Sequence, residues 1–123
     1  MARSSKQIIH FKLALPPSIN AMYRRNPHSY GLYKTAEAKQ WISDSLIQMR
    51  LQRVPRRKII GHGDVTANFY FKHERDIDGG VKPLLDLLQE YGLFENDRNI
   101  YSLFLTKDFD KKNPRVELDI VDN

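Results

Sequence analysis

Residues 64–92 read DVTANFYFKHERDIDGGVKPLLDLLQEYG. Along this segment, the spacing of the apolar residues changes from every second residue to the three-and-four spacing of a helix. Apolar and polar residues alternate over residues 64–71, which predicts a β-strand with one buried face. Helical spacing then relates four apolar residues, Val81, Leu84, Leu85 and Leu88. We therefore predict an amphipathic helix, with Pro83 in its first turn and Gly92 as its C-terminal stop.

The flanking sequence adds further elements around this strand and helix. They are a strand over residues 7–15, a helix from the N-cap Thr35 to before Pro55, and strands over residues 100–106 and 115–121. Residues 16–34 show no period and are predicted to form an ordered loop. The order strand, helix, strand, helix, strand, strand predicts an α/β or α+β fold. We expect a small single domain over residues 1–123, with a mixed β-sheet flanked by two α-helices.

Composition narrows the possible functions. The 123 residues include no cysteine, which excludes disulfides, thiol nucleophiles and cysteine-ligated zinc. No apolar stretch reaches the roughly 18 residues of a membrane span, and the N-terminus lacks the pattern of a signal peptide. We therefore expect a cytoplasmic protein without a membrane partner. The net charge of +5 favours a polyanionic partner.

Acidic residues in the second half of the chain suggest a metal site. Asp76 and Asp78 are two residues apart after the predicted strand, so extended backbone would direct both carboxylates to one side. Asp97 follows the second helix and is expected to return to the same end, with Asp86 as a fourth candidate. Carboxylate oxygens suit Mg²⁺ or Mn²⁺. Each acid also has an ordinary interpretation as a surface residue, a helix cap or a turn former.

Lys82 lies one turn into the second predicted helix, six residues after Asp76. Beside carboxylates and a bound phosphate, its ammonium group can offset negative charge that develops in a transition state. The alternative is a surface lysine paired with a neighbouring acid, which is a frequent arrangement.

Four segments together resemble the RusA family of Holliday junction resolvases. They are RDIDGGVKPLLDLL at residues 75–88, ENDRNI at 95–100, PPSINAMYR at 16–24 and YKTAEAKQW at 33–41. The spacing of Asp76, Asp78, Lys82 and Asp97 matches that of the family, and the resemblance extends over nearly the whole chain.

The resemblance implies a homodimeric, Mg²⁺-dependent endodeoxyribonuclease of bacterial or phage origin, with no small-molecule cofactor. Such an enzyme binds four-way DNA junctions and makes paired symmetric nicks in recombination and repair. The metal ligands would be Asp76, Asp78 and Asp97, and Lys82 would be required for cleavage. The sequence departs from the family at Gly79, where asparagine is usual. We expect this change to affect the rate of cleavage.

Basic residues supply candidate DNA contacts. We predict phosphate contacts from Arg24, Arg25, Lys34 and Arg75. Tyr23, Tyr30 and Tyr33 either stack on unpaired bases or anchor the loop. The basic residues within 50–58 form either a second phosphate-binding patch or a solvated helix end.

Other functions remain open at this point. One is a branched-DNA-binding protein of the same fold that cuts weakly or not at all, with Gly79 as the sign of that loss. Another is a small RNA-binding or interaction module, which would explain the positive charge but not the spaced acids. A third possibility is a nuclease that acts mainly on flaps or replication forks, which is closer to the junction resolvase. All of the catalytic predictions depend on Asp76, Asp78 and Asp97 meeting at one ion.

Overall fold

A computed structural model describes residues 7–18, 23–25, 32–56, 58–59 and 61–122. The elements are strands β1 (Gln7–Leu13), β2 (Tyr23–Arg25), β3 (Leu32–Lys34), β4 (Gly63–Phe71), β5 (Ile100–Phe109) and β6 (Arg115–Asp122), with helices α1 (Ala36–Leu51) and α2 (Val81–Tyr91). Short 3₁₀ turns, Ile77–Gly80 and Asp97–Asn99, precede α2 and β5. The predicted α+β fold with a mixed sheet and two helices is confirmed.

The main sheet has four strands in the order β1-β6-β4-β5. Strand β6 is antiparallel to both β1 and β4, whereas β5 is parallel to β4. Helix α2 lies in the connection between the two parallel strands, so it carries the chain back from the end of β4 to the start of β5. This crossover decides where the candidate site residues lie.

Helix α1 begins where the sequence predicts. The Thr35 hydroxyl accepts a hydrogen bond from the Ala38 amide at 3.2 Å, and Glu37 lies in the first turn. This cap satisfies an otherwise unpaired amide, and the acid complements the helix dipole. The buried Trp41 donates its indole N–H to the Ala14 carbonyl at 3.0 Å, which fixes the helix to the chain following β1.

Helix α2 ends at Gly92, which adopts a left-handed conformation with φ of 98°. Glycine takes this conformation without the steric cost that a Cβ adds. The buried side is formed by Pro83, Leu84, Leu87, Leu88 and Tyr91. The predicted stripe is therefore rotated slightly, because Leu87 is fully buried while Val81 and Leu85 are only partly covered.

The core lies between the helices and one face of the main sheet. Burial alternates along β4, so that Val65, Ala67, Phe69 and Phe71 all point into the core. Alternating residues of β1 and β6 cover the rest of this face, as expected for a sheet with one packed side. None of the helices among the described residues is long and apolar enough to cross a bilayer.

Some boundaries differ from the sequence prediction. Strand β1 ends at Leu13 rather than at residue 15, and β5 continues to Phe109 rather than stopping at residue 106. The predicted loop over residues 16–34 contains the antiparallel pair β2-β3. Strands of three residues are too short to show a period. Residues 19–22 and 26–31, including Tyr30, lie outside the described part of the chain.

Candidate active site

The acidic pair lies in the connection between β4 and α2. Strand β4 stops at Phe71, so Asp76 and Asp78 are beyond the strand rather than at its end. Asp76 is extended, and Asp78 belongs to the 3₁₀ turn Ile77–Gly80. Both side chains are exposed, and neither has a hydrogen-bond or ion-pair partner among the described side chains. We call residues 72–80 the acidic loop.

Arg75 holds the acidic loop against the chain that follows β1. Its guanidinium donates to the Pro16 carbonyl at 3.1 Å and lies 5.0 Å from the centre of the Phe71 ring. Partial burial lowers the pKa of Arg75 through desolvation. The side chain predicted to contact DNA is thus engaged within the protein, directly beside Asp76. A DNA contact by Arg75 stays a prediction.

The two consecutive glycines of the acidic loop differ in their surroundings. A Cβ on Gly80 would lie 2.7 Å from Cγ of Pro16 and 3.5 Å from the Phe69 ring, so Pro16 packs directly on this glycine. A Cβ on Gly79 would meet nothing within 4 Å. Gly80 is therefore required by close packing, whereas position 79 has room for a side chain.

Lys82 is paired within α2. Its ammonium nitrogen lies 2.9 Å from a carboxylate oxygen of Asp86, one helical turn along. Asp86 thus orients Lys82. The ammonium group remains accessible, because the Lys82 side chain is 55% exposed.

Lys107 of β5 joins this strand to the acidic loop. Its ammonium nitrogen lies 2.6 Å from a Glu74 carboxylate oxygen and 3.3 Å from the Arg75 carbonyl oxygen. The acidic loop therefore lies beside the C-terminal end of β5. The sequence analysis missed Lys107 and Glu74, because the pairing of a strand with a distant loop leaves no local pattern.

The backbone of Asp97 lies at the opposite end of the strand pair. Asp97 begins the 3₁₀ turn that leads into β5, whose first residue, Ile100, pairs with Gly63 at the start of β4. The acidic loop packs near Phe69, and the strand from Gly63 to Phe69 is about 20 Å long at ~3.3 Å per residue. The expectation that one chain brings Asp97 back to Asp76 and Asp78 is corrected by this topology.

The donor groups nevertheless suit a hard divalent cation. Asp76 and Asp78 offer exposed carboxylate oxygens, the ligand type that Mg²⁺ and Mn²⁺ favour. Among the side chains that the structure describes, which exclude Asp97, no three acids or histidines are grouped closely enough for a metal ion. A single chain therefore supplies two of the three predicted ligands at the acidic loop.

The predicted DNA contacts in the loop region fall on the small hairpin. Arg24 is in β2 opposite Tyr33, and Lys34 is in β3 opposite Tyr23. Arg25 pairs with Leu32. The side chains of this hairpin lie outside the described part of the structure, so their contacts with DNA stay predictions.

Comparison with known proteins assigns the chain to a family. No curated protein matches it. A family model described as Endodeoxyribonuclease RusA matches residues 14–121. The match spans Pro16, both 3₁₀ turns and the whole β4-α2-β5 crossover, which are the parts that position the candidate site. The chain therefore belongs to the RusA family of endodeoxyribonucleases.

Proposed function

We propose that the protein is a Mg²⁺-dependent Holliday junction resolvase that works as a homodimer. The observation that carries this proposal is the separation of its acids. Asp76 and Asp78 lie at one end of the β4-β5 pair, and the backbone of Asp97 lies at the other. Between these ends runs the outer edge of β5, with which no strand of the described residues pairs. In a dimer joined along that edge, the acids of one subunit would meet the partner's Asp97, so that all three metal ligands would lie together.

Strand β5 combines an edge position with exposed apolar side chains, as expected of a strand that pairs with another subunit. It is ten residues long and forms one edge of the sheet. Its exposed apolar side chains are Tyr101 at 64%, Leu103 at 38%, Phe104 at 63% and Phe109 at 48%. A long edge of this kind, uncharged over its first seven residues, invites pairing with another strand.

The exposed area agrees with a second copy as the occupant. At about 200 Å² for a fully exposed aromatic side chain, the exposed parts of these four side chains amount to roughly 400 Å² per subunit. A standard interface buries about 800 Å² per partner. The strand backbone and its polar neighbours would supply the remainder. An antiparallel pair is also self-complementary, so the same edge serves both subunits.

Antiparallel pairing would bring the separated acids together. A two-fold axis through the middle of β5 puts the start of one strand beside the end of the other, about 5 Å away. The partner's Asp97 would then approach the acidic loop, which Lys107 fixes at the end of β5. Each dimer would have two sites, and each site would take Asp76 and Asp78 from one subunit and the partner's Asp97 from the other.

The chemistry would be phosphodiester hydrolysis. When bound by these carboxylates, Mg²⁺ or Mn²⁺ supplies charge neutralisation at the scissile phosphate and lowers the pKa of a coordinated water. Asp76 and Asp78 would hold the ion at the acidic loop. Lys82, oriented by Asp86, would offset the negative charge that grows on the phosphate oxygens.

The two-fold dimer suits a four-way junction. Such a junction presents two equivalent strands related by symmetry, and a symmetric pair of sites would nick both. The family membership supports a DNA nuclease, and we infer that it acts in the cytoplasm on DNA intermediates of recombination and repair. A second candidate is a junction-binding protein with weak cleavage, which the glycine at position 79 favours.

Subunit mixing tests the proposed dimer and its divided sites. Asp76→Asn and Asp97→Asn homodimers should each fail to cut a synthetic four-way junction with Mg²⁺. Chains carrying different affinity tags are co-expressed, and heterodimers are purified through both tags. One of the two sites in each heterodimer would retain all three acids, so nicking of one strand should return.

The result has a clear contrary outcome. Heterodimers as inactive as either homodimer would show that the three acids do not meet across subunits. A control heterodimer of wild type and Asp76→Asn should nick one strand and thereby confirm that a single intact site suffices. Preserved junction binding by every variant would exclude a folding defect.

A further inference from the structure

Three exposed cations and one exposed histidine lie at the end of the sheet opposite the acidic loop. They are Arg56, Lys58, His62 and Arg98, of which His62 carries its charge only when protonated, and we call them the basic end. None of them has an ion-pair partner among the described side chains. By contrast, Lys82, Lys107 and Arg115 each have a carboxylate oxygen within 2.9 Å. The side chains of the basic end are therefore free of the close ion pairs that engage Lys82, Lys107 and Arg115.

The backbone that carries the basic end is fixed by contacts on both sides. The Ile59 amide donates to the Leu93 carbonyl at 2.7 Å, and Ile59 forms a parallel bridge with Phe94. The Asn99 side-chain amide donates to the Gly61 carbonyl at 3.3 Å. These contacts hold the chain around Lys58 and His62 against the segment that carries Arg98.

Two side chains of the basic end also rest on aromatic rings. The guanidinium of Arg56 lies 5.6 Å from the centre of the Tyr91 ring. The His62 ring stacks on Tyr101 of β5 with centroids 3.8 Å apart and planes inclined by 17°. Such contacts limit the rotamers of both side chains, so less conformational entropy is lost when they bind a ligand.

We propose that the basic end binds the phosphate backbone of the DNA that enters the partner subunit's acidic loop. This inference rests on the dimer proposed above. Within one chain, the basic end is at the wrong end of the sheet to assist Asp76 and Asp78. Across an antiparallel β5 pair, it would move with the partner's Asp97 to the same acidic loop. Ordered cations on rigid backbone are suited to phosphate contacts that position the strand to be cut.

Removal of two charges tests the binding role. Arg56→Gln with Lys58→Gln removes two cations while leaving the acids untouched. The dimer loses four cations in total, so we expect at least about tenfold weaker binding to a four-way junction in Ca²⁺, and a salt dependence roughly three to four units shallower in slope. The matched control is Arg50→Gln with Arg53→Gln, which removes the same charge from the last turn of α1 and from the exposed turn that follows it. An equal loss of junction affinity in the test variant and the control would show that the basic end is not a specific binding site.

A second experiment tests the use of the basic end in trans. Heterodimers combine an Asp76→Asn chain with an Arg56→Gln, Lys58→Gln chain. The intact acids would then face the intact basic end of the other subunit, so one strand should be nicked within about twofold of the rate of a wild-type and Asp76→Asn heterodimer. Nicking as slow as that of the double-charge homodimer would overturn the inference. The heterodimer of Asp76→Asn and Asp97→Asn tests the divided acids independently, so its result does not depend on the basic end.

Discussion

The two edges of the main sheet are treated differently by the rest of the chain. At the β1 edge, the Gln52 side chain donates to the Lys12 carbonyl at 2.6 Å and accepts from the Lys12 amide at 2.9 Å. The side-chain amide of Gln52 therefore makes the two hydrogen bonds to Lys12 that a neighbouring strand would make. On β5, the strand's own Asp108 side chain accepts from the Phe109 amide at 2.8 Å, at the very end of the strand. Strand β5 also carries the exposed apolar groups. We call the β1 edge, which Gln52 occupies at Lys12, the closed edge, and the β5 edge, along which we propose dimerisation, the free edge.

The largest expected effect comes from a charge placed on the free edge. Phe104→Asp would put two like charges near the two-fold axis and remove apolar area. We expect the 14.5 kDa monomer in light scattering, and at least about a hundredfold loss of junction nicking because the acids no longer meet.

The closed edge provides the control for this variant. Ile8 of β1 is 66% exposed, close to the 63% of Phe104. Ile8→Asp should therefore leave both the dimer and its nicking unchanged. A dimeric, active Phe104→Asp protein would place the interface elsewhere.

The next effect concerns the link between the acidic loop and the chain leaving the closed edge. Gly80→Ala would press a methyl group against Pro16. Crowding of this kind costs about 1–3 kcal/mol, which corresponds to a fall in Tm of roughly 4 °C per kcal/mol. Calorimetry on Gly80→Ala and Gly79→Ala separates the two positions, since only the first should lower Tm by this amount. Equal falls would contradict the packing of Pro16 on Gly80.

A smaller effect is expected when the closed edge is opened. Gln52→Ala removes two hydrogen bonds to Lys12, and we expect a loss of about 1 kcal/mol in the free energy of unfolding measured in urea. The unpaired backbone at β1 should also promote concentration-dependent association. Gln89→Ala, an exposed glutamine of α2, serves as the control and should change neither property.

The smallest effect tests the departure from the family sequence. Gly79→Asn introduces an amide into open space beside Asp78. We expect an increase of a few-fold in the rate of junction nicking at an unchanged Tm, with Gly79→Ala giving no such gain. An Asn variant that folds but cuts more slowly would show that this chain has adapted its site to glycine.

Much of the fold follows from local sequence. The alternation in β4, the Thr35 cap and the Gly92 stop act over a few residues, and the structure confirms all three. The extension of β5 to Phe109 was missed because Lys107 and Asp108 are exposed on an edge strand, where polar residues do not interrupt pairing. The Gln52 contact joins residues 40 positions apart and has no local signal.

The position of Asp97 shows a different kind of error. The strand and the helix that precede it are correctly predicted, but the length of α2 alone does not say at which end of the sheet the chain after it lies. A helix between parallel neighbours returns the chain to the end where the first strand began. Asp97 therefore had to lie away from Asp76 and Asp78 once β5 paired parallel to β4. The three acids could be chosen as candidates from the sequence. Their separation follows from the parallel direction of β4 and β5, which the sequence does not show.

That separation has a consequence for control of the enzyme. If no single copy holds a complete set of ligands, a newly synthesised chain is harmless to the genome until it meets another. At low abundance the amount of active nuclease would rise with the square of the subunit concentration. Expression level alone would then set a threshold below which the cell's DNA is not cut.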